Sequence, residues 1–230
     1  MTNSSSFYSA LHMGLEDGLI YTSLNDSGGT IEVDVDYLRF LKESGATWVG
    51  FCVAISLENS MDDTVDLVFP GQDADPDSIY TISADNFDYL MGLLSDNGFS
   101  TYVNVNFETS PNSDDSPLRY LLGTSYESMT YGGTEIDRSD WPWDIDHPDH
   151  AAFVANFWQS YTDRITFWAE RAEQAGVDMF GIGTEIDAFI RNGSNEAMPD
   201  DFSGYLANLI AETREVFTGV LTYDQSYQVR

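Results

Sequence analysis

Apolar residues recur along this chain with two alternating periods, and the alternation predicts repeated helix–strand units. Four segments show helical spacing, each followed by a glycine and then by an apolar run typical of a buried strand. Glycine at those points suits the left-handed conformation that ends many helices. The helices are expected over about 34–44, 84–97, 149–175 and 200–217, and the glycines are Gly45, Gly98, Gly176 and Gly219.

The apolar runs predict five strands in an α/β fold. They are expected at Gly18–Leu24, Ala46–Ile55, Phe99–Phe107, the run between Gly176 and Gly183, and Val220–Tyr223. Strands that alternate with helices pair in parallel through right-handed crossovers. A doubly wound sheet can be complete with five strands, whereas an eight-stranded barrel cannot. No glycine-rich phosphate loop follows the first predicted strand, which argues against a nucleotide-binding fold.

Residues 1–17 are polar and predict a leader, and residues 18–230 predict a single domain. The first nine residues lack both a basic and an apolar region, so we expect no signal peptide, and the compartment stays unassigned. No apolar stretch reaches the roughly 18 residues that a membrane helix needs. Cys52 is the one cysteine, and its apolar surroundings favour a buried structural thiol.

Charge is the most unusual property of the composition. The chain has 39 acidic and 9 basic residues, for a net charge of −30. Nucleic acids and anionic membranes would be repelled, so neither is an expected partner. The acidic residues are spread along the whole chain, which favours adaptation to high salt, where self-repulsion is screened.

Calcium binding is the alternative explanation for the acidity, and it would make the chain a calcium-dependent module. The segment with Asp73, Asp75 and Asp77 resembles the start of a calcium loop. However, Ser78 stands where such a loop needs glycine, and Ala84 where it needs glutamate. We therefore expect no cofactor and keep calcium as a weak candidate.

Two long polar segments interrupt the regular pattern, at residues 56–83 and 109–149. Loops of this length in a compact domain are usually functional or disordered, and the aromatic content of the second argues against disorder. Its rings are either sugar-stacking platforms or loop packing, and the sequence does not decide between them. They are Tyr126, Tyr131, Trp141 and Trp143. His147 and His150 have the spacing of metal ligands but lack a third ligand for zinc.

Glu185 is the strongest candidate for chemistry. It stands where the apolar run after Gly176 stops, and strand ends of this kind surround the cleft in barrels of alternating strands and helices. A carboxyl group there can act as a general acid or base, especially where partial burial raises its pKa. An ordinary surface glutamate after a strand is the alternative.

The stretch from Trp158 to Ile186, which includes Gly183-Thr184-Glu185, resembles the glycoside hydrolases related to the family 113 mannanases. The resemblance implies a partial (β/α)8 TIM barrel of about five units and a retaining endo-β-1,4-mannanase-like activity on polysaccharide or oligosaccharide. It also implies that Glu185 is the acid/base and that Thr184 occupies the position of a sugar-contacting asparagine. The predicted substrate-binding set comprises Thr184, Trp141, Trp143, Tyr126, Tyr131, Asn106 and Tyr223.

The sequence departs from that family in one important respect. The family nucleophile is a glutamate at the end of the seventh strand, and no residue here matches it. Glu58 and Glu108, near the ends of the second and third predicted strands, are the available substitutes. Two expectations remain open: a longer enzyme whose C-terminal half or partner subunit completes the barrel, or a non-catalytic carbohydrate-binding or assembly module. An incomplete barrel would leave a sheet edge to be covered.

Overall fold

A computed structural model describes residues 10–13, 35–67, 82–109, 122–123, 130–131, 134–135, 137–184, 186, 189 and 202–224. Seven strands and four α-helices are found in this part of the chain. The strands are β1 (Ala10–Met13), β2 (Trp48–Leu57), β3 (Ser100–Thr109), β4 (Thr130–Tyr131), β5 (Thr134–Glu135), β6 (Met179–Thr184) and β7 (Val220–Asp224). The helices are α1 (Val35–Glu43), α2 (Ala84–Asp96), α3 (His150–Gln174) and α4 (Ser203–Val216).

Five of these strands form one parallel sheet, in the order β1-β2-β3-β6-β7. Each strand pairs with the preceding strand of this sheet, so the order never reverses. A doubly wound sheet reverses its strand order at a switch point, whereas a barrel winds in one direction. The topology therefore corresponds to an arc of five strands from a TIM barrel, and the doubly wound alternative is excluded for the described sheet.

The helices begin and end within a few residues of their predicted bounds, for identifiable reasons. The Ser83 side chain accepts a hydrogen bond from the Asn86 amide and caps the start of α2. Gly45, Gly98 and Gly176 follow their helices with φ of 79°, 83° and 71°, as predicted.

Gly219 departs from this pattern. It is not among the described glycines with positive φ, and α4 ends at Val216, followed by Phe217 in an extended conformation. A Cβ at Gly219 would lie 2.8 Å from the Asp178 carbonyl oxygen, so close approach of the backbone explains this glycine.

The first strand lies at Ala10–Met13, within the stretch predicted as a polar leader, so that prediction is wrong for these residues. The run Ala-Leu-His-Met pairs in parallel with the first part of β2, and this long-range pairing overrides a weak local signal. The predicted strand Gly18–Leu24 lies outside the described residues.

One face of the sheet, which we call the outer face, is apolar and packs against the helices. It includes Val49, Phe51, Val53, Ile55 and Leu57 of β2, all buried, and the residues paired with them on β3. On that strand Phe107 stacks on Phe157 of α3 at a ring distance of 6.0 Å. Burial of this face supplies the main hydrophobic core of the described chain.

No helix in the described residues is long and apolar enough to cross a membrane. Within the long segment 109–149, β4 and β5 form a two-stranded antiparallel ribbon, followed by a short 3-10 helix at Arg138–Asp140.

Candidate functional site

The second face of the sheet, which we call the inner face, is polar and carries the candidate site. Register places Cys52, Asn104, Gly181 and Thr222 side by side across four strands. Because side chains alternate along a strand, Tyr102, Asn104 and Asn106 share this face of β3. The missing side chain of Gly181 makes room, since a Cβ there would lie 2.8 Å from the Tyr102 hydroxyl.

Asn104 links three strands at the centre of the inner face. Its side chain is 1% exposed, and its Nδ2 atom donates to Thr184 Oγ1 on β6 and to Asp224 Oδ2, 2.8 Å away, on β7. An ionised carboxylate only accepts hydrogen bonds, so the pairing with Asp224 fixes which end of the amide points toward β6 and β7. The Thr184 hydroxyl accepts from Asn104 and keeps its own proton available for another partner.

Tyr102 lies beside the same carboxylate. Burial raises the pKa of the Tyr102 hydroxyl well above its ordinary value, and interaction with Asp224 raises it further. The phenol therefore stays protonated at neutral pH. The Oδ1 atoms of Asn104 and Asn106 are buried without a hydrogen-bond partner among the described residues, which marks the inner face as incompletely satisfied.

A β-bulge in β6 brings Thr184 to the inner face. Gly181 pairs with Thr222 and Thr184 with Asp224, so three steps on β6 match two on β7. Regular alternation would have directed Thr184 to the outer face, and the extra residue reverses it. Bulges commonly re-aim a side chain next to a functional site.

The bulge is held from the outer side by Tyr161 of α3. Its buried hydroxyl donates to the Ile182 carbonyl. A Cβ at Gly183 would lie 2.5 Å from that hydroxyl and 2.9 Å from the Ile186 side chain. Glycine is therefore needed at position 183, which gives a packing reason for the first residue of Gly183-Thr184-Glu185.

Several predicted site residues lie outside the described part of the chain. They are Glu185, Tyr126 and the three calcium candidates Asp73, Asp75 and Asp77. For Tyr131 and Glu108 the structure describes the strand but not the side chain. The acid/base assignment to Glu185 thus remains a prediction, attached to a strand end whose position is defined up to Thr184.

Trp141 and Trp143, predicted to bind substrate, are both fully buried. The Trp143 indole nitrogen donates to the Ser60 carbonyl at 2.8 Å, and its ring packs edge-on against Phe153 and Phe157 at 4.8 and 4.9 Å. Both rings are therefore part of the hydrophobic core. This corresponds to the second of the two roles that the sequence left open, loop packing. Neither presents a face to a sugar.

Tyr223 is the third predicted binding residue that the structure places away from the inner face. Its neighbours Thr222 and Asp224 are on the inner face, so Tyr223 alternates to the outer face, where it packs against the hydrophobic core. Asp224 was missed because it follows the predicted end of its strand. A carboxylate directly after an apolar run was the signal available in the sequence. Asn106 lies on the inner face as predicted, half-buried.

The remaining carboxylate and metal candidates are not assembled into a site. Glu58 is exposed, and its backbone amide donates to Asp62 at 3.2 Å. The His150 ring nitrogen contacts the Pro142 carbonyl at 3.0 Å, and His147 accepts from the Asp149 amide at 3.2 Å. No group of three or more histidine, cysteine or acidic residues within the described ranges could hold a metal ion.

Comparison with protein-family models gives no match, and comparison with curated proteins gives none either. Solved structures do match. A GH113 β-1,4-mannanase structure has a TM-score of 0.55 at 18% identity, over 83% of this chain and 49% of that one. A complex structure of GH113 β-1,4-mannanase gives 0.55 at 19%, with the same coverage.

A third matching structure is that of the GH113 β-mannanase AaManA from Alicyclobacillus acidocaldarius in complex with ManMIm. It has a TM-score of 0.55 at 18% identity, over 83% of this chain and 47% of that one. The chain thus spans about half the length of these enzymes. At this identity the likeness is one of fold, and it identifies the chain as a partial TIM barrel with the fold seen in the GH113 β-mannanase structures.

Proposed function

We propose that this chain carries the acid/base half of a retaining glycoside hydrolase that acts on β-linked polysaccharide, with endo-β-1,4-mannanase-like activity and Glu185 as general acid/base. The observation that carries the proposal is the bulged end of β6. It brings Thr184, the residue before Glu185, to the polar inner face at the carboxyl end of the sheet. TIM-barrel enzymes bind substrate at this end.

The proposed chemistry needs a glutamate that first donates a proton and then accepts one. As the acid, Glu185 protonates the glycosidic oxygen while a second carboxylate attacks the sugar. As the base, it then takes a proton from the water that releases the glycosyl–enzyme intermediate. The first step requires Glu185 in its protonated form, and the strand end before it is fixed by the pairing of Thr184 with Asp224 on β7.

The inner face also offers groups suited to a hydroxyl-rich ligand. Thr184 retains a hydroxyl proton, because its oxygen accepts from Asn104. Asn106 adds a half-buried amide with an unpartnered oxygen among the described residues. A donor and an acceptor on one face match the hydroxyl groups of a sugar, which both donate and accept.

The test is hydrolysis of β-mannan and related β-glycans by the chain and by Glu185→Gln. Where a second carboxylate completes the site, from this chain, its continuation or a partner subunit, we expect hydrolysis and a loss of roughly 10²–10⁴-fold in kcat in the variant, the range typical of general acid–base catalysis. Glu215→Gln is the matched control, because Glu215 is exposed near the end of α4, toward the amino end of β7. Equal rates for native chain and Glu185→Gln would exclude the assignment.

A carbohydrate-binding or assembly module without hydrolysis is the second candidate. It is supported by the polar inner face, where the Thr184 hydroxyl and the Asn106 amide suit the hydroxyl groups of a sugar without any nucleophile. Calorimetric binding of mannooligosaccharides without any release of reducing ends would support this candidate. Turnover would exclude it.

A further inference from the structure

We propose that Thr184 and Asp224, held apart by the Asn104 amide, bind one hydroxyl group of the glycan, which makes Asp224 a specificity-determining residue. The inference rests on the proposed function for the identity of the ligand, and it adds a residue that the sequence did not predict. All three side chains lie on the described inner face.

Asn104 fixes the separation of the two binding groups. The two hydrogens of its Nδ2 atom are donated to Thr184 Oγ1 and to Asp224 Oδ2, the second over 2.8 Å. The two N–H bonds of an amide diverge, so oxygens at ordinary hydrogen-bond lengths from one nitrogen lie about 4–5 Å apart. A single oxygen atom of a ligand can then form a hydrogen bond of ordinary length with each of them.

The surroundings of Asn104 determine which way its amide points. A carboxylate only accepts hydrogen bonds, so the NH2 group and not Oδ1 faces Asp224. Oδ1 is then buried without a hydrogen-bond partner among the described residues, beside Gly181, where a Cβ would overlap it. The missing side chain at position 181 therefore leaves the room that this orientation needs.

Thr184 and Asp224 offer different groups to a ligand. The Thr184 hydroxyl accepts from Asn104 and keeps one proton to donate. The Asp224 carboxylate has about four acceptor positions, of which Asn104 uses one and the neighbouring Tyr102 phenol can use one more. Both residues are half-buried at the ends of their strands, so a ligand can reach them at the carboxyl end of the inner face.

A hydroxyl group suits this pair better than groups that only accept or only donate. A purely accepting group would be repelled by the Asp224 carboxylate, and a purely donating group would leave the Thr184 proton unused. A hydroxyl accepts from Thr184 and donates to Asp224. No arginine or lysine in the described ranges forms an ion pair with Asp224, so its charge can strengthen that bond.

The experiment measures mannohexaose binding by calorimetry for the native chain, Thr184→Val, Asp224→Asn, the double variant and the control Asp96→Asn. Valine keeps the shape of threonine without its hydroxyl. Asparagine at position 224 directs its oxygen to Asn104 and presents a donor where the carboxylate accepted. Asp96 is exposed at the end of α2, near the amino end of the sheet. Circular dichroism checks that each variant is folded.

We expect Asp224→Asn to weaken binding by roughly 10–100-fold, the range for a hydrogen bond to a charged group, and Thr184→Val by roughly 3–10-fold. Because both residues contact one hydroxyl, the double variant should bind about as weakly as Asp224→Asn alone, well short of the product of the two single effects. Asp96→Asn should leave the dissociation constant unchanged.

A second comparison varies the ligand, and its first step needs only the native chain. Each monodeoxy derivative of mannobiose lacks one hydroxyl. We expect one derivative to bind the native chain roughly 10–100-fold more weakly than mannobiose does. Asp224→Asn should bind that derivative and mannobiose with equal affinity, because the recognised hydroxyl no longer contributes.

Multiplicative effects in the double variant would show that Thr184 and Asp224 do not share a hydroxyl. An unchanged dissociation constant in Asp224→Asn would show that the pair holds only water. Either result, or no binding by the native chain, overturns the inference. Hydrolysis is not required by these measurements, so coupled binding without turnover would establish the hydroxyl site while the proposed hydrolase activity fails.

Discussion

The two faces of the parallel sheet differ in what their side chains do, and β3 makes the contrast within one strand. On the outer face, Val103, Val105 and Phe107 are buried against helices. On the inner face, Tyr102, Asn104 and Asn106 alternate with them and carry polar groups. One face is satisfied by packing, and the other contains buried polar atoms without partners among the described residues.

Alternate residues of β3 therefore have different roles: those on the outer face stabilise the fold, and those on the inner face belong to the candidate site. Apolar burial contributes to folding in proportion to the area removed from water. Buried polar groups oppose folding unless they are hydrogen-bonded, so the polar inner face is expected to contribute less to stability than the apolar outer face.

The largest difference in stability is expected between variants of two neighbouring residues on β3. Phe107→Ala should lower the free energy of unfolding by about 3–5 kcal/mol, because it leaves a cavity where Phe107 stacks on Phe157 and Tyr161. Asn106→Ala should change it by less than about 1 kcal/mol, since Asn106 is half-buried. Urea unfolding of both variants measures the difference, and equal destabilisation would contradict the distinction between the faces.

A smaller effect is expected where the two faces meet at the bulge. Gly183→Ala should destabilise the fold by about 1–3 kcal/mol, because the new methyl group would overlap the Tyr161 hydroxyl and the Ile186 side chain. The control is Gly92→Ala inside α2, where a Cβ would meet nothing within 4 Å. That change should stabilise by about 0.5–1 kcal/mol, since alanine is the better helix former. Thermal unfolding of both variants measures the two changes in stability. If Gly183→Ala and Gly92→Ala changed stability in the same direction, the packing explanation for Gly183 would be wrong.

The smallest change in stability is expected from a residue on neither face of the sheet, Asp144 in the loop before α3. Its carboxylate accepts from the Arg138 Nε at 2.7 Å, and this bond, with a backbone bond from Asp146, holds the pKa of Asp144 below its ordinary value. A lowered pKa means that the stabilisation is present above the ordinary value of about 3.8 and is lost as pH falls through the lower folded value.

Asp144→Asn should therefore be less stable than the native chain at pH 7. The difference in unfolding free energy between the two should become smaller as the pH falls. Unfolding measured at several pH values between about 7 and 2 tests the slope. A gap that widened on acidification would show that the ion pair with Arg138 does not stabilise the folded state.

Local patterning was sufficient for most of the described elements. The helical stripe of Trp158, Tyr161 and Ile165 predicted α3 to within one residue at each end, because apolar spacing and a terminal glycine agree there. Ala10–Met13 was missed, because four residues carry little periodicity and their strand exists through pairing with β2. The choice between barrel and doubly wound sheet needed the strand order, which periodicity does not encode.

The candidate site was likewise predicted in part from the sequence and in part only from the structure. The sequence by itself indicated the carboxyl end of the fourth barrel strand, β6, with Thr184 and Glu185, since an apolar run ending in a carboxylate is a local signal. It left open whether the loop tryptophans face sugar or the core, because an aromatic side chain suits both environments. Burial in the tertiary structure assigned Trp141 and Trp143 to packing.

The sequence alone determined where the four helices and four of the five strands of the parallel sheet form, since these depend on the spacing of apolar residues and on glycine conformations within one segment. Only the tertiary structure decided that Asn104, Thr184 and Asp224 meet, because they lie on three strands and are up to 120 residues apart. Their meeting depends on register and on one extra residue in β6 that turns Thr184 inward. Such a bulge is a property of paired strands, so it has no counterpart in the pattern of either strand alone.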